Sequence, residues 1–136
     1  MRFLYTLTFS TLLITAVCSS CKSQQNTAVI SIGYHSDNCD DCNVLKAKMK
    51  GMNRKFLLAP IVFIKYDKTT AKSKLLAEKK LAKWGILEMA KRDDGLKYVI
   101  LYDRESKEKL ERIDYNDDSA TIELKIRKAL EKAKKD

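Results

Sequence analysis

Ser36 to Met49 reads SDNCDDCNVLKAKM, and the fold turns on what this stretch joins. Cys39 and Cys42 bracket two aspartates where a strand-like run gives way to a helical one. Upstream, AVISIGY (residues 28–34) is short, apolar and β-branched, as expected of a strand buried on both faces. Downstream, from about Asp40 to Lys50, the spacing predicts a helix. It places Val44, Leu45, Met49 and Met52 on one side, with Gly51 as C-cap. A cysteine pair in this setting suits a redox switch, part of a metal site, or a bridge that braces the chain.

Further out, IVFIKY (61–66) predicts a second buried strand, with Pro60 tolerated at its start. Thr69 or Thr70 can cap a helix that runs through Leu75, Leu76, Leu81 and Trp84 and stops at Gly85. Residues 86–95 look irregular and end in the turn-like RDDG. KYVILY (97–102), the polar turn DRESKE and KLERIDY (109–115) predict a hairpin. From about Ser119, a last helix places Ile122, Ile126, Ala129, Leu130 and Ala133 on one stripe.

The N-terminus bears on the chemistry, because the compartment sets the redox state of the pair. Residues 1–20 have the form of an export signal: Arg2 is basic, and the apolar run Phe3 to Val17 is too short to span a bilayer comfortably. The run ends in AVCSSCKS, where Cys21 follows the small residues Ser19 and Ser20. This resembles the lipobox of bacterial lipoproteins, with Cys18 where the box usually carries Leu. The resemblance implies cleavage before Cys21 and lipidation of its thiol, so that residues 21–27 form a short tether to a domain over 28–136. An ordinary secretory signal is the alternative. Lys22 after the lipidated cysteine implies the outer membrane. In an oxidising periplasm a close cysteine pair forms a disulfide unless something reduces it.

Without the signal, about 116 of the 136 residues remain, enough for one domain with a core. Loss of Arg2 leaves 26 of the 27 basic residues against 18 acidic ones, a net charge of +8. The excess is concentrated in residues 46–92, with 14 Lys or Arg against three acids. Such a surface suits anionic head groups or acidic partners, or is simply the solvated side of helices. Nucleic acid is not an expected partner of an exported lipoprotein.

The element order β-α-β, then α, then β-β-α, makes a mixed four-stranded sheet with helices on both faces. With the Cys-x-x-Cys at the junction of first strand and first helix, the chain resembles the thioredoxin fold over residues 28–136. It departs from the usual Trp-Cys-Gly-Pro-Cys-Lys, having Asn38-Cys39-Asp40-Asp41-Cys42-Asn43. His35 stands where thioredoxins commonly carry Trp, and Gly33 where they often bury an acid. The family's cis-proline is missing, since Pro60 is the chain's only proline; Lys97 or Tyr98 takes its place. The chain is closer to variant thioredoxin-like domains with a long loop before VILYD.

The resemblance implies thiol–disulfide exchange. At a helix N-terminus Cys39 is expected to be exposed and to attack a client disulfide, while shielded Cys42 resolves the mixed disulfide. Asp37, Asp40 and Asp41 disfavour a further negative charge on sulfur, which points to a reductant or isomerase. His35 can relay the resolving proton. The expected partners are disulfide-containing periplasmic clients, a thiol–disulfide exchange reductant and, through the lipid, a membrane; no cofactor is expected. Two other readings stay open. His35, Cys39 and Cys42, with Asp37 as a fourth ligand, could hold copper or zinc. Alternatively, the bridge braces a redox-inert interaction domain.

Overall fold

The computed structural model describes residues 27–134, so the signal, Cys21 and the tether to residue 26 lie outside the described residues. Four strands form one sheet in the order β2-β1-β3-β4. β1 (Val29–His35) runs parallel to β2 (Ile61–Asp67) and antiparallel to β3 (Tyr98–Asp103), which pairs antiparallel with β4 (Lys109–Asp114). Four helices, α1 (Asp40–Lys55), α2 (Ala71–Lys83), α3 (Leu87–Arg92) and α4 (Ser119–Lys132), cover its two faces. This is the thioredoxin-like arrangement expected, with one more short helix.

Alternation along the strands divides the core in two. Val29, Val99, Leu101 and Ile113 pack with Leu45, Met52 and Phe56 of α1 and with Ile122, Ile126, Ala129 and Leu130 of α4. Ile30, Ile32, Tyr34, Ile64, Tyr66, Ile100 and Tyr102 face the other way, onto Ala77, Leu81, Ile86 and Ala90. The central strands are apolar on both faces because both faces are covered. The C-terminal stripe is as expected, with Asp118 as N-cap accepting from the Thr121 N–H at 2.7 Å.

Three local expectations are corrected. Gly51 does not end α1, which continues to Lys55, where Phe56 is the C-cap. Burial of Met52 and Phe56 against α4 outweighs the helix penalty of one glycine, about 1 kcal/mol. Val44 is 49% exposed; the inward row is Leu45, Met52 and Phe56, with Met49 partly buried. Leu75 and Leu76 also lie outside, at 52% and 57%, because α2 meets the sheet through Ala77 and Leu81. Residues 86–95 are not irregular throughout: Ile86 and Ala90, four apart and fully buried, make α3 a short amphipathic turn.

Of the two cap candidates, Thr70 is the one used. Its hydroxyl accepts from the Ser73 N–H, and Ser73 accepts from the Thr70 N–H, each at 3.0 Å, which closes a capping box. At the far end of the sheet, the Ala28 N–H donates to the Pro60 carbonyl at 2.8 Å, and the Arg104 N–H donates to the Ala28 carbonyl at 2.9 Å. The start of β1 is thus stitched to both neighbours.

Candidate redox site

β1 delivers its C-terminal end to the start of α1. A tight turn joins them, in which the Cys39 N–H donates to the Ser36 carbonyl at 3.2 Å. Cys39 is the N-cap of α1, with extended backbone, and its sulfur accepts from the Cys42 N–H at 3.2 Å. The helix could not recruit that donor itself, so the sulfur meets an otherwise unpaired N–H at the positive end of the helix dipole. Cys39 and Cys42 form a disulfide with Cα atoms 5.2 Å apart. Cys42 is 2% exposed, whereas Cys39 is only half-buried, the asymmetry expected for an attacking and a shielded sulfur.

The accessory residues do not act as one acidic cluster. Asp37 Oδ1 lies 2.9 Å from His35 Nε2. Asp41 Oδ2 lies 2.9 Å from Lys97 Nζ, which carries a cation to the helix start from the loop before β3. Of the three carboxylates, Asp41 alone is paired with a fixed cation among the described residues; Asp40 is exposed in the first turn of α1. The expectation of three uncompensated negative charges around the sulfur is therefore reduced to two, Asp37 and Asp40.

His35 is 4% exposed, and its Nδ1 is buried without a hydrogen-bond partner among the described residues. With Nε2–H donating to Asp37, Nδ1 carries a lone pair, so the imidazole has one open acceptor on its buried side. The loop that holds this pair is fastened from β2. The Thr69 hydroxyl donates to Asp67 Oδ1 at 2.6 Å and accepts from the Asp37 N–H at 3.0 Å, while the Lys68 N–H donates to the His35 carbonyl at 2.8 Å. Burial would raise the Asp67 carboxyl, but bonds from Lys65 and Thr69 hold it well below the usual carboxylate range.

The place opposite the disulfide, just before β3, belongs to Lys97. Its backbone is left-handed (φ 72°), its carbonyl accepts from the Tyr115 N–H at 3.1 Å, and no peptide bond among the described residues is cis. The sequence offered Lys97 or Tyr98 for this place; Tyr98 turns instead to the opposite face and joins Tyr34, ring centroids 5.1 Å apart. Nothing in the sequence pairs Lys97 with Asp41, which lies 56 positions away. Among the described residues, no group of three or more His, Cys, Asp or Glu is arranged to hold a metal ion, and the two sulfurs are bonded to each other.

No protein-family model matches the sequence, and no curated protein matches it. Among solved structures the chain is similar to Trxlp from Edwardsiella tarda EIB202, with 14% identity and a TM-score of 0.48, over 80% of this chain and 89% of that one. The thioredoxin-like description rests on the chain's own element order, sheet topology and placement of the cysteine pair.

Proposed function

We propose that the domain is a thiol–disulfide oxidoreductase that uses Cys39 and Cys42. The observation that carries this reading is the asymmetric disulfide at the N-terminus of α1: a partly exposed cysteine whose sulfur already accepts a helix N–H, joined to a cysteine that is 2% exposed. In the reduced protein the Cys39 thiolate attacks one sulfur of a client disulfide and expels the other as a thiolate, forming a mixed disulfide. Cys42 then attacks Cys39 Sγ, the client leaves as a second thiolate, and the internal disulfide re-forms. Two electrons pass to the client, and a dithiol protein must supply them again. The buried lone pair of His35 Nδ1 is suited to take the Cys42 proton, with Asp37 holding the tautomer. The helix start favours the Cys39 thiolate and the charges of Asp37 and Asp40 oppose it, which keeps the pair on the reducing side of strong oxidants.

The test is trapping. Cys42→Ser should accumulate Cys39-linked mixed disulfides with exported proteins, and Cys39→Ser should abolish reductase activity. If Cys42→Ser traps nothing, the oxidoreductase reading fails. A structural brace is the second reading, favoured by the Lys97–Asp41 ion pair that closes the loop over the helix start. A midpoint potential too low for a protein dithiol to reduce would select it.

Disulfide-bonded clients are plentiful in an oxidising compartment, and we propose that the chain is exported to one and held there by a lipid on Cys21. Cys21→Ser should leave an uncut precursor without labelled palmitate, while Cys18→Ser should be processed. Palmitate in neither the wild type nor the Cys18 variant would overturn the anchor alone.

A further inference from the structure

Three alternate residues of β1 that face α2 and α3, Ile30, Ile32 and Tyr34, are large, whereas Ser31 and Gly33, which face α1, are small. Above Ser31 and Gly33, α1 presents Cys42, Leu45 and Met49, and β2 contributes Phe63. The space left between them is a pocket of about 290 Å³. Gly33 is not demanded by the backbone, since its φ is not positive. Nor is it demanded by a close approach, since a Cβ there would meet Val99 Cγ2 at 3.6 Å, an ordinary contact. What the glycine preserves is the room.

The mouth is cationic. Lys46 and Lys50, one helical turn apart on α1, stand at it with Lys65 of β2. Lys65 is engaged by Asp67 at 2.6 Å, but Lys46 and Lys50 have no acidic partner among the described residues. Two unpaired ammonium groups over an apolar interior complement a molecule with one anionic end and an apolar body. The volume is near the lower limit for small-molecule sites, about 300 Å³, too small for a two-chain lipid.

We propose that this pocket binds a small amphipathic carboxylate, a medium-chain fatty acid anion, with its chain against Gly33, Met49 and Phe63 and its carboxylate between Lys46 and Lys50. The site is distinct from the exchange chemistry and does not depend on it, although Cys42 forms one wall. The probe is decanoate below its micelle concentration, titrated into the oxidised full-length chain and followed by calorimetry and amide chemical shifts. One molecule should bind per chain, with the shifts centred on Gly33, Met49 and Phe63. Decanol and inorganic phosphate, which each carry half of the chemistry, should bind at least tenfold more weakly, as should decanoate to the Lys46→Gln/Lys50→Gln double variant. Gly33→Leu should abolish binding while keeping or raising the unfolding midpoint. Equal affinity for decanol, equal affinity of the double variant, or wild-type shifts centred away from the pocket would each overturn the proposal. The shift map decides the matter even if Gly33→Leu does not fold.

Discussion

The two faces of the sheet are built on different principles. Behind it, toward α2 and α3, a cluster of tyrosines closes the core, and each hydroxyl has an acceptor. Tyr34 donates to the Ala90 carbonyl at 3.0 Å and Tyr66 to Glu78 Oε1 at 3.0 Å. Tyr98 and Tyr102 donate to the Asp93 carbonyl and carboxylate, both at 2.6 Å. In front, toward α1, the α4 half is a close aliphatic core, while the β2 half is left open over Ser31 and Gly33 beside the disulfide. A buried tyrosine fills volume and pins a loop at once, so the back is both dense and tied. The front keeps its polar groups at the helix start and its free volume beneath it. The disulfide and the space beside it are thus mounted on a layer that gives little.

The sharpest test of that contrast uses neighbours in sequence. Ile32→Ala behind the sheet should cost about 2–5 kcal/mol in urea unfolding. Gly33→Ala, one residue on and facing front, should be neutral or stabilise by up to about 1 kcal/mol. Similar losses at both positions would mean that the front is as tightly packed as the back.

Next in size is the tie itself. Tyr102→Phe removes one hydroxyl from Asp93 and should cost about 1–3 kcal/mol, with faster amide exchange through α3 and residues 93–95. Unchanged exchange there would mean that Lys109, at 3.1 Å from Asp93 Oδ1, suffices alone.

The faces should also differ in pH response. Burial, and then the bond to Glu78, push the Tyr66 hydroxyl up to about 12 from an ordinary 10.0. Its folded value lies above its unfolded one, so its contribution is complete below pH 10 and is lost as pH rises toward 12. Unfolding followed from pH 9 to 12 should show falling stability, and Tyr66→Phe should flatten the fall; an unchanged slope would free Tyr66 of the effect. At the acid end, burial opposes ionisation of Asp93, but the Tyr102 hydroxyl and Lys109 win and hold it below the usual range. Its contribution is present above pH 4 and is lost as pH falls below that, so Asp93→Asn should flatten the acid limb.

Smallest is the cap of α2. Thr70→Ala breaks the capping box and should cost about 1 kcal/mol by the same unfolding measurement, leaving disulfide reduction unaffected.

What the sequence made legible follows the same division. The central strands β1 and β3 declared themselves because burial on both faces selects β-branched and apolar runs, and α4 did so because its stripe is wide and regular. α3 is too short for periodicity to register, and its two inward residues, Ile86 and Ala90, look like any loop pair in isolation. α2 was legible as a helix but not in its facing, because its exposed leucines at 75 and 76 are bigger than the Ala77 that meets the sheet. At the site, the cysteine pair was legible from its junction and the unequal exposure of its two residues from helix geometry. The pairing of Asp41 with Lys97 was not, since it joins segments that only the sheet brings together. Nor was the emptiness over Gly33: a missing side chain announces nothing until its neighbours are placed.

The stitching of Thr27 and Ala28 to the far end of the sheet gives the molecule two poles. The Ala28 N–H is held by Pro60 and its carbonyl by Arg104, while the disulfide sits past the other end of β1. Seven residues of strand separate them, about 23 Å at ~3.3 Å per residue. Thr27, where the preceding segment joins, therefore lies on the side away from the sulfurs. Were that segment fixed to a surface at Cys21, the intervening chain could reach about 20 Å at most. The cysteine pair would then face outward like the tip of a short mast, toward partners arriving from the bulk rather than toward the surface behind it.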